Sequence, residues 1–216
     1  MTSPARILVV IGTPIAGSLN HALARSYADA ARAAGAEVRV VDLATDAVPG
    51  HPSLRSELRT PRSDADTPLA PEVANYMGDV TWADHLVFFF PQWWGSTPAA
   101  LKGWIDRVFL AGFAFRYRER GRLWDKLLTG RTARIVMTMD SPVPWNAWVY
   151  RDAAIRQLRN ATLEYCGIKV RGITRLSEVR HRADADRERW IRGMASFAAI
   201  DAASALARDR GELVPA

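Results

Sequence analysis

Three short stretches hold residue types whose spacing could bind a ligand. The first runs Gly12-Thr13-Pro14-Ile15-Ala16-Gly17-Ser18-Leu19-Asn20 and ends where helical periodicity begins. Backbone N–H groups and the dipole at a helix start favour an anion. The hydroxyls of Thr13 and Ser18 and the Asn20 amide add donors. The pattern is neither G-x-G-x-x-G nor G-x-x-x-x-G-K-S/T, so the dinucleotide fingerprint and the triphosphatase loop are both absent. Plain N-capping by Ser18 is the competing reading. The second stretch is Pro91-Gln92-Trp93-Trp94-Gly95-Ser96, with two adjacent indoles in a turn. Loops normally run over the surface, where large apolar rings cost free energy. Trp93 and Trp94 therefore wall a planar ligand, plug the end of a sheet, or form a contact between copies. The third is Asp140-Ser141-Pro142-Val143-Pro144-Trp145-Asn146-Ala147-Trp148. Its prolines stiffen a turn, and Trp145 and Trp148 either line a pocket or pack against the turn itself.

The elements that must position these loops follow from periodicity. Residues 6–12 form a short apolar run of the kind seen in fully buried parallel strands. Residues 18–34 carry helical spacing, with Gly35 as the stop. Residues 37–41 are a second strand, which makes a β-α-β unit and a parallel start to the sheet. Residues 44–70, rich in Pro, Ser, Asp and Arg, form an irregular excursion. Helix 71–83, strand 84–90 and helix 97–109 follow, the last with Thr97 as N-cap and Pro98 at its first position. A loop and short helix occupy 112–128. Strand 132–139, helix 148–166, strand 168–176 and helix 184–208 complete the chain. The expectation is a single domain over 1–216, a doubly wound three-layer α/β sandwich whose five-stranded parallel sheet has the order 2-1-3-4-5. In such sheets ligands bind beyond the C-terminal strand ends where strand order reverses, here between the first and third strands. The first two loops lie at that point, and the third is on the same edge. A phosphate on the first loop and a planar ring between the other two describe a flavin mononucleotide laid along the sheet edge.

Composition narrows the class. The 216 residues are 49% hydrophobic and 24% charged, with net charge +6, and only Lys102, Lys126 and Lys169 of the 29 basic residues are lysine. The positive charge is scattered, which suits an ordinary solvated surface or a field that draws in an anionic cofactor, and no nucleic-acid reading motif accompanies it. Cys166 is the single cysteine, so there is no intrachain disulfide and no thiol metal cluster. No apolar run approaches the roughly 20 residues of a membrane helix. The start of the chain lacks the features of a signal peptide, so a cytoplasmic location is expected.

The run FFFPQWWGSTPAALKGWIDRVF, residues 88–109, resembles the NAD(P)H:quinone oxidoreductase family. Pro91, Trp94, Pro98, Ala99, Leu101, Lys102, Gly103, Trp104, Asp106, Arg107, Val108 and Phe109 fit its pattern, and Gly112-Phe113-Ala114-Phe115 continues it. The opening G-S-L-N is similar to the family's phosphate loop. The resemblance implies a flavodoxin-like fold and bound FMN or FAD, with NADPH or NADH as co-substrate, a quinone-like acceptor and a homodimer. It places the flavin phosphate on Ser18, Leu19 and Asn20, with Thr13 nearby. The ring falls against Pro91, Gln92, Trp93, Trp94 and Gly95, bordered by Asp140 and Ser141. Trp94, Trp145 and Trp148 line the substrate pocket, and Lys102, Gly103 and Trp104 are scaffold. Arg116 and Arg118 are candidates for a nucleotide phosphate, or an exposed charge run. The third loop departs from the family's T-T-G-G type, and none of His21, His51, His85 and His181 is a persuasive proton donor, so the catalytic residues are unassigned. A flavodoxin-type electron carrier and a regulatory subunit of a potassium-efflux transporter are the rival readings. Flavodoxins are usually acidic, which counts against the first.

Overall fold

The computed structural model describes residues 3–209. Five parallel strands form one sheet: β1 (Arg6–Ile11), β2 (Glu37–Asp42), β3 (His85–Pro91), β6 (Thr132–Thr138) and β7 (Lys169–Leu176), in the order β2-β1-β3-β6-β7. This is the expected 2-1-3-4-5 arrangement. The strands alternate sides with period two, which sorts their apolar residues into two cores. Leu8, Val10, Leu86, Phe88, Phe90, Ile135 and Met137 face α2 (Pro71–Trp82), α3 (Ala99–Val108) and α5 (Ala153–Leu158). Ile7, Val9, Ile11, Val87, Phe89 and Val136 face α1 (Leu19–Ala33) and α7 (Asp184–Asp209). Trp104, fully buried, centres the first core, with Tyr76, Phe88 and Phe109 edge-on around it. Its place in the core agrees with a scaffold role.

Three local expectations are corrected. Residues 112–128 hold no helix but an antiparallel hairpin, β4 (Phe115–Tyr117) with β5 (Trp124–Lys126). Trp124 stacks on Tyr165 with centroids 4.2 Å apart and donates its indole N–H to the Tyr165 carbonyl. A partner distant in sequence thus decides the local conformation. The helix expected over 148–166 is broken. Residues of the third loop form α4 (Val143–Trp148), α5 starts only at Ala153, and a π turn (Arg159–Leu163) joins it to α6 (Glu164–Cys166). The break is at Arg151 and Asp152, both left-handed with φ of 52° and 54°. Thr97 does not cap α3: Pro98 takes the cap position, and the buried Thr97 hydroxyl has no hydrogen-bond partner. In the excursion, a 3-10 turn covers Arg55–Leu58, Arg59 pairs with Asp66, and Thr60 bonds to the Ala111 carbonyl.

No helix among the described residues is long and apolar enough to cross a membrane.

Candidate active site

The site lies where strand order reverses, at the C-terminal ends of β1 and β3. Gly12 leaves β1 by donating to the Phe89 carbonyl at 2.7 Å, and a Cβ there would lie 2.7 Å from Leu101 Cδ2. The Leu101 side chain of α3 thus crowds the root of the first loop, where any larger residue would force it to shift. Thr13 is buried, and its Oγ1 accepts the Ile15 amide. Ser18 stands at the N-cap of α1 but makes no capping bond to the backbone. Its hydroxyl meets His21 Nδ1 at 2.9 Å, and His21 Nε2 lies 3.0 Å from Asp42 Oδ1. A carboxylate accepts only, so Asp42 assigns the proton to Nε2, and Nδ1 accepts from Ser18. His21 thus braces the loop from behind. Among the described residues the amides of Ser18, Leu19 and Asn20 donate to nothing, so the helix start keeps its anion-binding groups.

Asn20 is 3% exposed and donates its Nδ2 to Thr138 Oγ1 at 3.0 Å, which ties the first loop to the end of β6. Its Oδ1 is buried without a partner. An orphaned buried acceptor costs about 1–3 kcal/mol. The Thr97 hydroxyl, orphaned at the start of α3, is a second such group at the same end of the sheet.

The second loop is a two-residue hairpin. Trp93 and Ser96 exchange both backbone hydrogen bonds, at 3.0 and 2.9 Å. Trp94 and Gly95 between them have φ of 51° and 73°. Positive φ at both central residues is the mark of a type I′ turn, which favours Asn-Gly. A bulky Trp in that conformation is strained by about 1–3 kcal/mol. The Trp94 side chain is also fully exposed. Strain and exposure together present one indole at the mouth of the site.

Pro91, Gln92 and Trp93 line a shallow cleft of about 160 Å³ with Thr138, Met139, Asp140 and Val179. Asp140 accepts the Arg180 amide at its edge. Ser141 donates to Gln92 Oε1 at 3.0 Å, and Gln92 Nε2 donates to Asn146 Oδ1 at 2.5 Å. Behind them Asn146 Nδ2 donates to Asp152 at 2.7 Å, and Arg175 closes an ion pair with Asp152. Sequence reasoning missed Asn146, Asp152 and Arg175 as members of the site. A lone Asn between two tryptophans was the only available signal.

The remaining candidates divide. Trp145 is half exposed and meets the Tyr150 ring edge-on, with Tyr150 beside Gly95, so it adjoins the second loop. Trp148 is exposed, and no aromatic contact ties it to the cleft. Arg116 and Arg118 both pair with Asp125 on the hairpin, away from the cleft residues. His51 and His181 are exposed, and His85 is buried at the opposite end of β3. Among the described residues no group of three His, Cys, Asp or Glu could hold a metal ion.

A protein-family model described as flavodoxin-like fold (Flavodoxin_2) matches residues 5–196. NAD(P)H dehydrogenase (quinone) 1 of Cavia porcellus is 32% identical over 191 residues, covering 79% of this chain and 67% of that protein. The FMN-dependent NADH:quinone oxidoreductase of Alcanivorax borkumensis is 33% identical over 122 residues, covering 53% of this chain and 62% of that one. Among solved structures, Smu.1420 from Streptococcus mutans UA159 is 29% identical, with a TM-score of 0.72, covering 90% of this chain and 99% of that one. The matched stretches span between 45% and 67% of the length of these and other curated relatives.

Proposed function

This chain belongs to the Flavodoxin_2 family, of flavodoxin-like fold, and on that premise we propose that it is a flavin-dependent NAD(P)H oxidoreductase that reduces a quinone-like acceptor. One observation carries the assignment: buried Asn20 leaves its Oδ1 without a donor beside three unused amides, at the point where strand order reverses. A ligand with a phosphate and a hydroxylated chain satisfies both at once. FMN has those groups, and the Alcanivorax relative is named as FMN-dependent.

The amides of Ser18, Leu19 and Asn20 hold the phosphate, with His21 fixing the loop. Thr13 closes the loop behind it. Pro91, Gln92, Trp93, Trp94 and Gly95 flank the ring, and Asp140 and Ser141 border it. Bound FMN supplies the two-electron exchange between NAD(P)H and the acceptor, and the protein binds, orients and excludes water. Trp94, with Trp145 and Trp148 further out, offers flat apolar walls to nicotinamide and quinone in turn. Two copies of the chain assemble as a homodimer in this reading, and a sedimentation mass of one chain would remove that part.

The purified protein is expected to show flavin absorbance bands, before or after addition of FMN, that bleach anaerobically with NADPH or NADH. No bands after incubation with FMN or FAD would overturn the proposal. The strained turn gives a second check. Trp94→Asn puts the favoured residue at the first position of a type I′ turn. Relief of about 1 kcal/mol raises Tm by about 2–4 °C in a domain of this size, while FMN retention falls. A variant that is both no more stable and equally retentive would contradict the role given to Trp94.

A further inference from the structure

We propose that Asn146 and Asp152 are positioning residues that act through Gln92 to fix the hydrogen-bond sense of Ser141 at the edge of the cleft. The inference rests on the flavin reading above, since it concerns what that site recognises. Arg175 fixes the first member of the network. A guanidinium only donates, and an ionised carboxylate only accepts. Arg175 donates to Asp152 from both Nε, at 3.0 Å, and Nη2. Burial pushes the Asp152 carboxyl up, but the hydrogen bond and charge of Arg175, with the Asn146 amide, outweigh it and hold the carboxyl below its usual range.

Each following member then has one permitted orientation. Asn146 must turn its NH2 towards Asp152, so its Oδ1 faces Gln92. Gln92 must answer with its NH2, which leaves its Oε1 to accept from Ser141. The single hydroxyl hydrogen of Ser141 is committed inward. Its oxygen, on the residue after Asp140 of the cleft wall, is therefore left only as an acceptor and selects a ligand edge that presents an N–H donor, such as the imide of an isoalloxazine. Asn146 is 0% exposed and is tied to Asp152 a second time, its carbonyl accepting the Asp152 amide at 3.0 Å. The two left-handed residues at the helix break have a purpose in this arrangement: they bring the Asp152 carboxylate against both Asn146 and Arg175. None of the side-chain atoms in the chain from Arg175 to Ser141 is buried without a partner.

A double-mutant cycle in FMN binding tests the relay, with affinity read from quenching of flavin fluorescence on the apoprotein. Ser141→Ala and Asn146→Ala are each expected to weaken FMN by about tenfold, the size of one hydrogen bond, and the double variant by no more than the stronger single. Losses that multiply to about a hundredfold would show Asn146 acting independently of Ser141 and would overturn the proposal. If Asn146→Ala fails to fold, Asp152→Asn, which conserves volume, replaces it in the same cycle. A flavin-free readout separates this idea from the functional assignment. In the apoprotein, Asn146→Ala should accelerate amide exchange at residues 91–92 and 139–141 while β1 and α7 keep their protection. Wild-type protein that binds no FMN would sink the flavin reading alone, and unchanged exchange in those two segments would sink the relay.

Discussion

Ser18→Asp is expected to leave the fold intact and to abolish FMN retention. Asp is as good an N-cap as Ser, and its charge suits a helix N-terminus, so α1 is not weakened. The same carboxylate stands where the amides of Ser18, Leu19 and Asn20 would hold a phosphate. Two like charges about 4 Å apart cost about 4 kcal/mol at the effective dielectric of a protein surface. That is roughly a thousandfold in affinity. Ser18→Ala, which removes the bond to His21 but adds no charge, is expected to cost about tenfold or less. The comparison needs only flavin content and a thermal melt for the three proteins. Equal flavin content in wild type and Ser18→Asp would refute the phosphate placement without touching the fold.

The second large effect lies between α1 and α7, towards the end of the sheet away from the candidate ligand loops. Asp201 on α7 accepts two bonds from Arg134 of β6, at 2.6 and 2.9 Å, and one from the Tyr27 hydroxyl of α1 at 2.8 Å. His85 Nε2 lies 3.3 Å away. All four residues are buried. Asp201→Ala strands the Arg134 charge in the interior, and breaking a buried pair in this way costs about 3–5 kcal/mol. Its effect is therefore a large fall in stability, read as a lower urea midpoint.

The same group predicts a pH dependence. Burial alone would raise the Asp201 carboxyl pKa, but the His85 ring and the Arg134 guanidinium outweigh burial and hold it well below the usual carboxylate range. A depressed folded-state value means that the stabilisation is complete above the unfolded value, about 3.9, and is lost as pH falls through the folded value. The gap between the wild-type and Asp201→Ala midpoints should narrow as pH falls below about 4, where the Asp201 carboxylate begins to be protonated in the unfolded chain. A gap that widens below about pH 4 would contradict the ion pair. Tyr27 stays a donor throughout, because burial first and the Asp201 charge second push its phenol far up.

Strand order, the two-sided sheet and the placing of the two candidate loops at the reversal of strand order were legible in the sequence. The physical reason is local: a parallel strand covered on both faces must be apolar at nearly every position, as in RILVVI and HLVFFFP. Once the order of strands and helices is read, the candidate site follows from topology, and the unusual residues of 12–20 and 91–96 fall on it. What only the tertiary structure decided depends on partners far apart in the chain. Asp152 leaves the helix that its neighbours favour because Arg175, 23 residues away, takes its carboxylate. Residues 115–126 become a hairpin because Trp124 finds Tyr165, 41 residues on. Thr97 is shut away from its cap, and Trp94 is forced to positive φ by a turn that closes between Trp93 and Ser96. Propensity acts over a turn or two of chain, whereas an ion pair, a ring stack or a hairpin closure acts wherever the fold brings its two halves together. The candidate residues could be named from the sequence, and the network that joins Gln92, Ser141, Asn146, Asp152 and Arg175 exists only once β3, β6, β7 and the loops beyond them are assembled.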